Sequence, residues 1–308
     1  MGVGVEGWQH AVMPATLDES RLRYPTERAV YVATMLLNIV VIIVAALVIR
    51  MDDSWKKEHR IAAKAADGLK VSAAALLLAP IALVLMRNRR RNTLRANALR
   101  LGPTQFPEIY EDYAELCTTL GIHEPPELYV VDEGLKEPSM AASTWSSQFI
   151  GINARFLEPK LEVVRPVYRF LLARELGRLR LGHTHWLDEL LIAHAMRIPV
   201  LRNPLLHARA FSQDRYGAAL APDGVRGLVV QASGRHLLTI VDVESFLRQA
   251  RALHGRRSVL GEFKRSTPFL AERIEKLDRA GMAMTDVAPK EAPDARTRAA
   301  VAARVRAS

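Results

Sequence analysis

The chain has 308 residues, enough for one large or two small domains, and its 49% hydrophobic and 25% charged residues are ordinary for a folded protein. The net charge of +10 suits nucleic acid or an anionic membrane face, but the basic residues are dispersed and no nucleic-acid motif is present, so we exclude nucleic acid as a partner. The single Cys117 excludes an intrachain disulfide, and its amphipathic surroundings predict a buried core thiol.

The N-terminal part of the sequence predicts a tail and a membrane helix. Residues 1–28 are polar and lack the pattern of a signal peptide, so we interpret them as a flexible or surface-lying tail. Residues 29–49 form an uncharged run of 21 residues. A helix of that length spans about 30 Å, the thickness of a bilayer core. Residues 50–70 are charged and are predicted to form a linker.

A second apolar run, residues 71–86, is short for a crossing, but flanking Lys70 can extend toward the interface and Pro80 is tolerated in membrane helices. The alternative is a helix packed on the soluble domain. The run is followed by Arg87, Arg89, Arg90 and Arg91, which favour the cytoplasm, although the linker also carries Lys and Arg. We therefore predict a multi-pass protein of the cell membrane, with the bilayer as partner and the domain in the cytoplasm.

The soluble region, residues 87–286, begins with a predicted helix over 106–121 that has apolar residues on one side. Residues 128–131 and 148–153 are predicted strands. The second of these is compatible with an edge strand that accepts a peptide as an added strand.

The central helix is predicted over residues 161–181, with an apolar stripe at three- and four-residue steps: Leu171, Leu172, Leu176 and Leu179. Arg174 and Arg178 are four residues apart and share a face, with Glu175 beside them. In zinc peptidases the pattern H-E-x-x-H places two metal-binding His around a Glu that activates water. Here the pattern is R-E-x-x-R, so the Glu is present and both His are Arg.

The C-terminal third contains further helices. Residues 186–206 are apolar but interrupted by charges, so they fail as a membrane span. They either lie on the bilayer surface, cover a cleft, or pack on the domain, and packing is favoured. Helices are also predicted over 209–220, 241–253 and 268–280, and residues 287–308 are predicted to form a basic tail.

The stretch Ala-Arg-Glu-Leu-Gly-Arg-Leu-Arg-Leu-Gly-His at residues 173–183 resembles the active-site helix of the HtpX-like membrane zinc endopeptidases, A-H-E-L-G-H-x-x-L-G-H. Residues 208–220 resemble the segment that supplies the family's third zinc ligand, a Glu, and an Asp four residues later. By this alignment the ligand position is Ala210 and the Asp is Asp214. Residues 266–274 resemble the S-H-P-x-x-x-x-R-I stretch, with Thr267 in place of His.

The resemblance implies an α+β, mainly helical, zincin-like (gluzincin) peptidase domain with a small sheet, attached to the two N-terminal transmembrane helices. It also implies a strand beside the cleft to which a peptide adds, here Phe149, Ile150, Gly151 and Ile152. The family's N-A-F-A-T-G stretch before that strand is replaced by Ser-Met-Ala-Ala-Ser at residues 139–143, a departure from ordinary substrate binding.

The three zinc positions are changed in this chain. The guanidinium groups of Arg174 and Arg178 stay protonated and have no lone pair to offer, and Ala210 has no ligand atom. Glu175, at the family's general-base position, cannot hold zinc alone, so we predict no metal and no cofactor. We expect Arg174 or Arg178 to form an ion pair with Asp214, which has a supporting role in the family, or with Glu175.

The function predicted from these residues is a catalytically inactive pseudopeptidase that acts as scaffold, regulator or binder of peptides or membrane proteins, in protein quality control. One alternative is an active zinc endopeptidase with other ligands, drawn from His183, His185, His194 and His207. Another is a membrane-tethered structural module whose cleft binds nothing.

Overall fold

The fold is described from a computed structural model. It describes residues 18–50, 60–132, 138–144, 147–157, 161–225 and 265–282, with the short pieces 228–229, 245–246, 248–249 and 252. The predicted helix over 241–253 lies mostly outside the described residues, and the basic tail 287–308 lies entirely outside them.

The described chain is mainly helical with one small mixed sheet. The helices are α1 (Glu19–Leu22), α2 (Glu27–Ile49), α3 (Arg60–Ala96), α4 (Pro107–Thr119), α5 (Leu161–Arg180), α6 (Trp186–Leu191), α7 (Pro199–Leu220) and α8 (Leu270–Arg279). The strands are β1 (Leu99–Arg100), β2 (Glu127–Val131), β3 (Ser139–Ser143) and β4 (Gln148–Asn153). Short 3₁₀ turns cover Ala154–Phe156, Ala195–Arg197 and Pro222–Val225.

Helices α2 and α3 contain the two predicted apolar runs and pack against each other. Both are long and apolar enough to cross a membrane, and only 17% of the most apolar window of each is buried, unlike a core helix of a soluble protein. Pro80 lies inside α3, which continues on both sides of it.

Two predicted boundaries differ from the structure. Residues 60–70, assigned to the linker, are the first turns of α3, while 51–59 lie outside the described residues. Residues 18–28, assigned to the tail, pack on the domain: Leu22 is buried, and the Tyr24 ring lies 5.0 Å from the Phe211 ring on α7. Burial of these apolar side chains fixes a segment whose composition indicated a surface tail.

The sheet has the order β1-β2-β4-β3, in which β4 pairs in parallel with β2 and antiparallel with β3. The prediction that Phe149, Ile150, Gly151 and Ile152 form an edge strand is therefore wrong, because the backbone of β4 is hydrogen-bonded on both sides. The edge beside β4 is β3, whose Ser- and Ala-rich sequence gave no strand signal.

The main core lies between the sheet, α4 and α5, and Tyr216 of α7 packs into it. The predicted apolar stripe of α5 is confirmed, since Leu171, Leu172 and Leu176 are fully buried and Leu179 nearly so. Cys117 on α4 is also fully buried, as predicted, and burial raises the pKa of its thiol to about 12.

Two glycines set how closely α5 and α7 approach. A Cβ added at Gly177 would lie 2.4 Å from Cγ of Tyr216, and one added at Gly217 would lie 2.7 Å from Cγ of Arg174. Both distances are far below van der Waals contact, so only glycine permits this approach. It brings Arg174 of the R-E-x-x-R motif against the side chains of α7.

Candidate functional site at the helix crossing

The first candidate site, which we call the α5–α7 crossing, consists of Arg174, Asp214 and Arg273. Arg273, on α8, donates to both Asp214 oxygens, from Nε to Oδ2 at 2.7 Å and from Nη2 to Oδ1 at 2.6 Å. Arg174 Nε lies 2.7 Å from Asp214 Oδ1 on the other side. The predicted ion pair between Arg174 and Asp214 is therefore confirmed, and Arg273 provides a second, bidentate partner that we did not predict.

All three side chains of this crossing are buried, with residue exposures of 8% for Arg174, 0% for Asp214 and 3% for Arg273. Burial alone would raise the pKa of Asp214, but the charges of Arg273 and Arg174 and the hydrogen bonds from Arg273 hold it below its ordinary value. Burial lowers the pKa of Arg174, against the opposing attraction of Asp214. The carboxylate is thus ionised and paired between two cations.

Glu175 is directed away from this pair, toward the sheet. It is 2% exposed, and Ser139 Oγ on β3 donates to its Oε1 at 2.9 Å. Its other oxygen, Oε2, lies 3.7 Å from Arg178 Nη1. The predicted pairing of an arginine with Glu175 is therefore present only as a long contact. The Arg178 side chain is 37% exposed, so it is the arginine of the motif that faces solvent.

Ala210 lies on α7, one helical turn before Asp214, and is half-buried. Its methyl group gives the site no ligand atom. The three positions matched to the family's zinc ligands therefore carry a guanidinium paired with Asp214, a half-exposed guanidinium and a methyl group.

The alternative histidine ligands have other partners. His183 contacts Glu27, and His207 Nε2 lies 2.8 Å from the carbonyl of Arg265. His194 contacts Asn38 and Leu76, and the His185 ring lies 6.0 Å from that of Trp186. Within the described residues, no three His, Cys, Asp or Glu side chains form a group that could hold a metal ion.

A second buried polar cluster, which we call the α2 junction, consists of Glu27, His183 and Ser212. Glu27, the first residue of α2, is 2% exposed. It accepts hydrogen bonds from His183 Nε2 at 2.9 Å, from Ser212 Oγ on α7, and from Arg23 Nη1 at 3.1 Å. This cluster was not predicted, although a Glu two residues before a long uncharged run is a signal that such a side chain has a partner.

Burial lowers the pKa of His183 to about 4, against the opposing hydrogen bond to Glu27. The ring is therefore neutral near pH 7. An ionised carboxylate can only accept, so in the neutral ring Nε2 carries the proton that is donated to Glu27, and Nδ1 is the acceptor, 3.5 Å from the amide nitrogen of Gln213. This tautomer ties the start of α2 to the end of α5.

The outer edge of β3 is defined by its backbone pairing. The N–H of Asn153 donates to Pro138 and the N–H of Thr144 donates to Ser147, so even-numbered residues of β3 bond to β4. The backbone groups of Ser139, Ala141 and Ser143 therefore point away from β4, and all three residues are buried. Arg91 of α3 donates to the Ser143 carbonyl at 2.7 Å. Among the described residues no strand pairs with this edge.

Comparisons with known proteins give no relative. No protein-family model matches the chain, and neither the curated proteins nor the solved structures contain one that matches it.

Proposed function

We propose that this protein is a membrane-anchored pseudopeptidase of HtpX-like descent that binds extended peptide segments without zinc. The observation that carries the proposal is the α5–α7 crossing, where the Arg174 guanidinium is paired with Asp214 in the place that the family resemblance gives to a metal ligand. Arginine has no free electron pair, and two cations at ligand positions repel a dication.

The membrane part of the proposal is supported by α2 and α3. Each is long and apolar enough to cross a bilayer, and the arginines that follow the apolar run of α3 favour the cytoplasmic side. Two crossings with this orientation leave the domain in the cytoplasm, attached to the inner face of the cell membrane.

The binding part rests on the outer edge of β3. The backbone groups of Ser139 and Ala141 point away from β4 and suit an added strand, and the half-exposed Arg178 lies on α5, which packs against β3. Binding must uncover this edge, because Ser139 and Ala141 are buried and the Ser143 carbonyl already accepts from Arg91. A peptide bound there would be held but not cleaved, because no bound metal activates water. Scaffold and regulatory roles both use such binding.

The test is the zinc content of the full-length, detergent-purified protein after brief exposure to a chelator. We expect less than about a tenth of an equivalent, because structural and catalytic zinc sites need three or four donor groups. Near one equivalent, together with chelator-sensitive proteolysis, would overturn the proposal in favour of an active endopeptidase.

A variant in which the family's zinc ligands are restored provides a second test, in which zinc binding is the expected result. Arg174→His, Arg178→His and Ala210→Glu together return the family's ligand set, and Arg273 remains to pair with Asp214. We expect this variant to bind about one equivalent of zinc, since imidazole and carboxylate donors then meet at the crossing. The matched control, Arg174→Lys with Arg178→Lys, should bind none. If the restored variant folds and stays zinc-free, the assignment of these positions as former ligands is wrong.

A further inference from the structure

The segment between α5 and α7 packs along the sides of α2 and α3. At the start of this segment, Asp188 accepts a hydrogen bond from the Tyr31 hydroxyl at 2.7 Å. Glu189 pairs with Arg91 at 2.5 Å and with Arg87 at 3.3 Å. These charged contacts mark the level at which the domain meets the two apolar helices.

Further along the same segment, His194 contacts both apolar helices at once. Its backbone N–H donates to Asn38 Oδ1 on α2 at 2.9 Å, and its Nε2 lies 2.8 Å from the Leu76 carbonyl on α3. Its Nδ1 also faces Asn38 Oδ1, at 2.9 Å. Asn38 is 1% exposed and His194 is 7% exposed, so these polar groups are shielded by protein.

Pro80 explains why the Leu76 carbonyl needs a donor. In an α-helix that carbonyl accepts from the N–H four residues later, but residue 80 is proline and has no N–H. In hydrocarbon an unsatisfied carbonyl costs several kcal/mol, so a membrane helix with this proline needs an external donor. The His194 ring supplies it.

The depth of these contacts follows from helix geometry. On α2, the first strongly exposed apolar side chain is that of Val32. Asn38 lies six residues further on, which places it about 9 Å from Val32 along the helix axis. On α3, Leu76 lies ten residues before Met86, the last exposed apolar side chain ahead of the arginines, or about 15 Å. In a hydrocarbon core of about 30 Å, both positions lie well inside.

The outer surface of the segment is apolar as well. Leu187, Leu191, Ile198 and Val200 are 40–63% exposed, next to the exposed apolar side chains of α2 and α3. Arg197 is exposed in the same region, and its long side chain can reach back toward the headgroups. A water-facing segment gains nothing from this composition, whereas a lipid-facing one does.

We propose that residues 186–203 form a wedge that enters the bilayer from the domain side and returns without crossing it, with lipid acyl chains as its partner. This inference rests on the proposed membrane anchoring by α2 and α3. His194 holds the wedge in place, because the Asn38 side chain and the Leu76 carbonyl have their donors on it.

The experiment measures depth by fluorescence quenching in the full-length protein. Single cysteines labelled with the NBD fluorophore are placed at Val200 and Ile198 in the wedge, at Val40 on α2, and at Glu108 on α4. The native Cys117 is fully buried, and unsubstituted protein serves as the labelling blank. The labelled proteins are reconstituted into vesicles whose phosphatidylcholine is brominated in the middle of the acyl chains.

We expect Val200→Cys and Ile198→Cys to lose emission to the extent that Val40→Cys does, and Glu108→Cys to lose none. Loss at Val40 without loss at either wedge position would overturn the wedge and leave the membrane anchoring intact. Unquenched emission at Val40 would instead overturn the anchoring itself, and the wedge with it.

Discussion

The α5–α7 crossing and the α2 junction each bury a carboxylate, but they neutralise it by different means. Asp214 is held between two guanidinium groups, which stay protonated at neutral and acidic pH. Glu27 accepts from a neutral imidazole and a hydroxyl, with one partly exposed arginine. The charges of the crossing therefore stay fixed over the mildly acidic range in which the junction loses stability.

The two sites also differ in what they hold together. The crossing joins α5, α7 and α8 inside the domain. The junction ties the first turn of α2 to the domain, and so fixes the anchoring helix. Removing the crossing should therefore loosen the packing within the domain, whereas removing the junction should loosen the contact between α2 and the domain.

The largest expected effect follows from removing the shared carboxylate of the crossing. Asp214→Ala leaves the buried guanidinium groups of Arg174 and Arg273 without their anion. Breaking a buried ion pair from one side costs about 3–5 kcal/mol, so we expect the free energy of unfolding in detergent to fall by that amount.

The control for this variant is Glu115→Ala. Its carboxylate also pairs with an arginine, Arg169 at 2.7 Å, but its side chain is 62% exposed. Exposed pairs contribute less than about 1 kcal/mol, so this variant should unfold almost as the parent does. Equal losses in the two variants would show that the crossing is no stronger than a surface pair.

The second prediction separates the two sites by pH. Because the pKa of His183 is lowered to about 4 in the folded protein, the unfolded chain binds a proton between pH 6.5 and 4 that the folded chain does not. Stability therefore falls as the pH drops through that window, by about 3 kcal/mol at pH 4. The pKa of Asp214 is lowered from 3.8, so the contribution of the crossing is retained through the same window and is lost only at lower pH.

The measurement is a series of unfolding curves between pH 7 and pH 4. His183→Asn removes the titrating ring and should flatten the dependence, whereas His185→Asn, two residues away, should keep the slope of the parent. A parent protein whose stability is constant over this range would show that the junction does not hold a neutral imidazole.

The sequence predicted what depends on local pattern. The apolar runs of α2 and α3 and the stripe of α5 follow from composition and helical spacing, and the structure contains all three. The Arg174–Asp214 pair is one of the arginine–carboxylate pairs that the resemblance leads us to expect, because a carboxylate in a partly buried cleft needs a cationic partner. Each of these predictions depends on the residue pattern within one helix, or on two segments that match a known motif.

Long-range contacts account for what the sequence did not predict. His183 and Glu27 are 156 residues apart, and neither spacing nor charge indicates that they meet. Strand order was missed for a related reason: Ser139–Ser143 has no β-branched residue, and its place at the sheet edge is decided by pairing with β4. Arg273 was noted only as part of a motif, because its partner is set by the packing of α8 on α7.

The smallest expected effect tests whether the crossing depends on close helix approach. In Gly177→Ala the added methyl group would lie 2.4 Å from Tyr216 Cγ, so α5 and α7 must separate and the Arg174–Asp214 contact must lengthen. Overpacking of this kind costs about 1–3 kcal/mol. Gly68→Ala on α3 is the matched control, since nothing lies within 4 Å of its added Cβ. It should leave the melting temperature unchanged or raise it, because alanine favours helix more than glycine does.

The fall in stability with acid that His183 causes should persist in Gly177→Ala, because the junction reaches α7 through Ser212, about one helical turn from Tyr216. Loss of both the stability and its dependence on pH would mean that the crossing and the junction form one cooperative unit, which depends on the packing of α7.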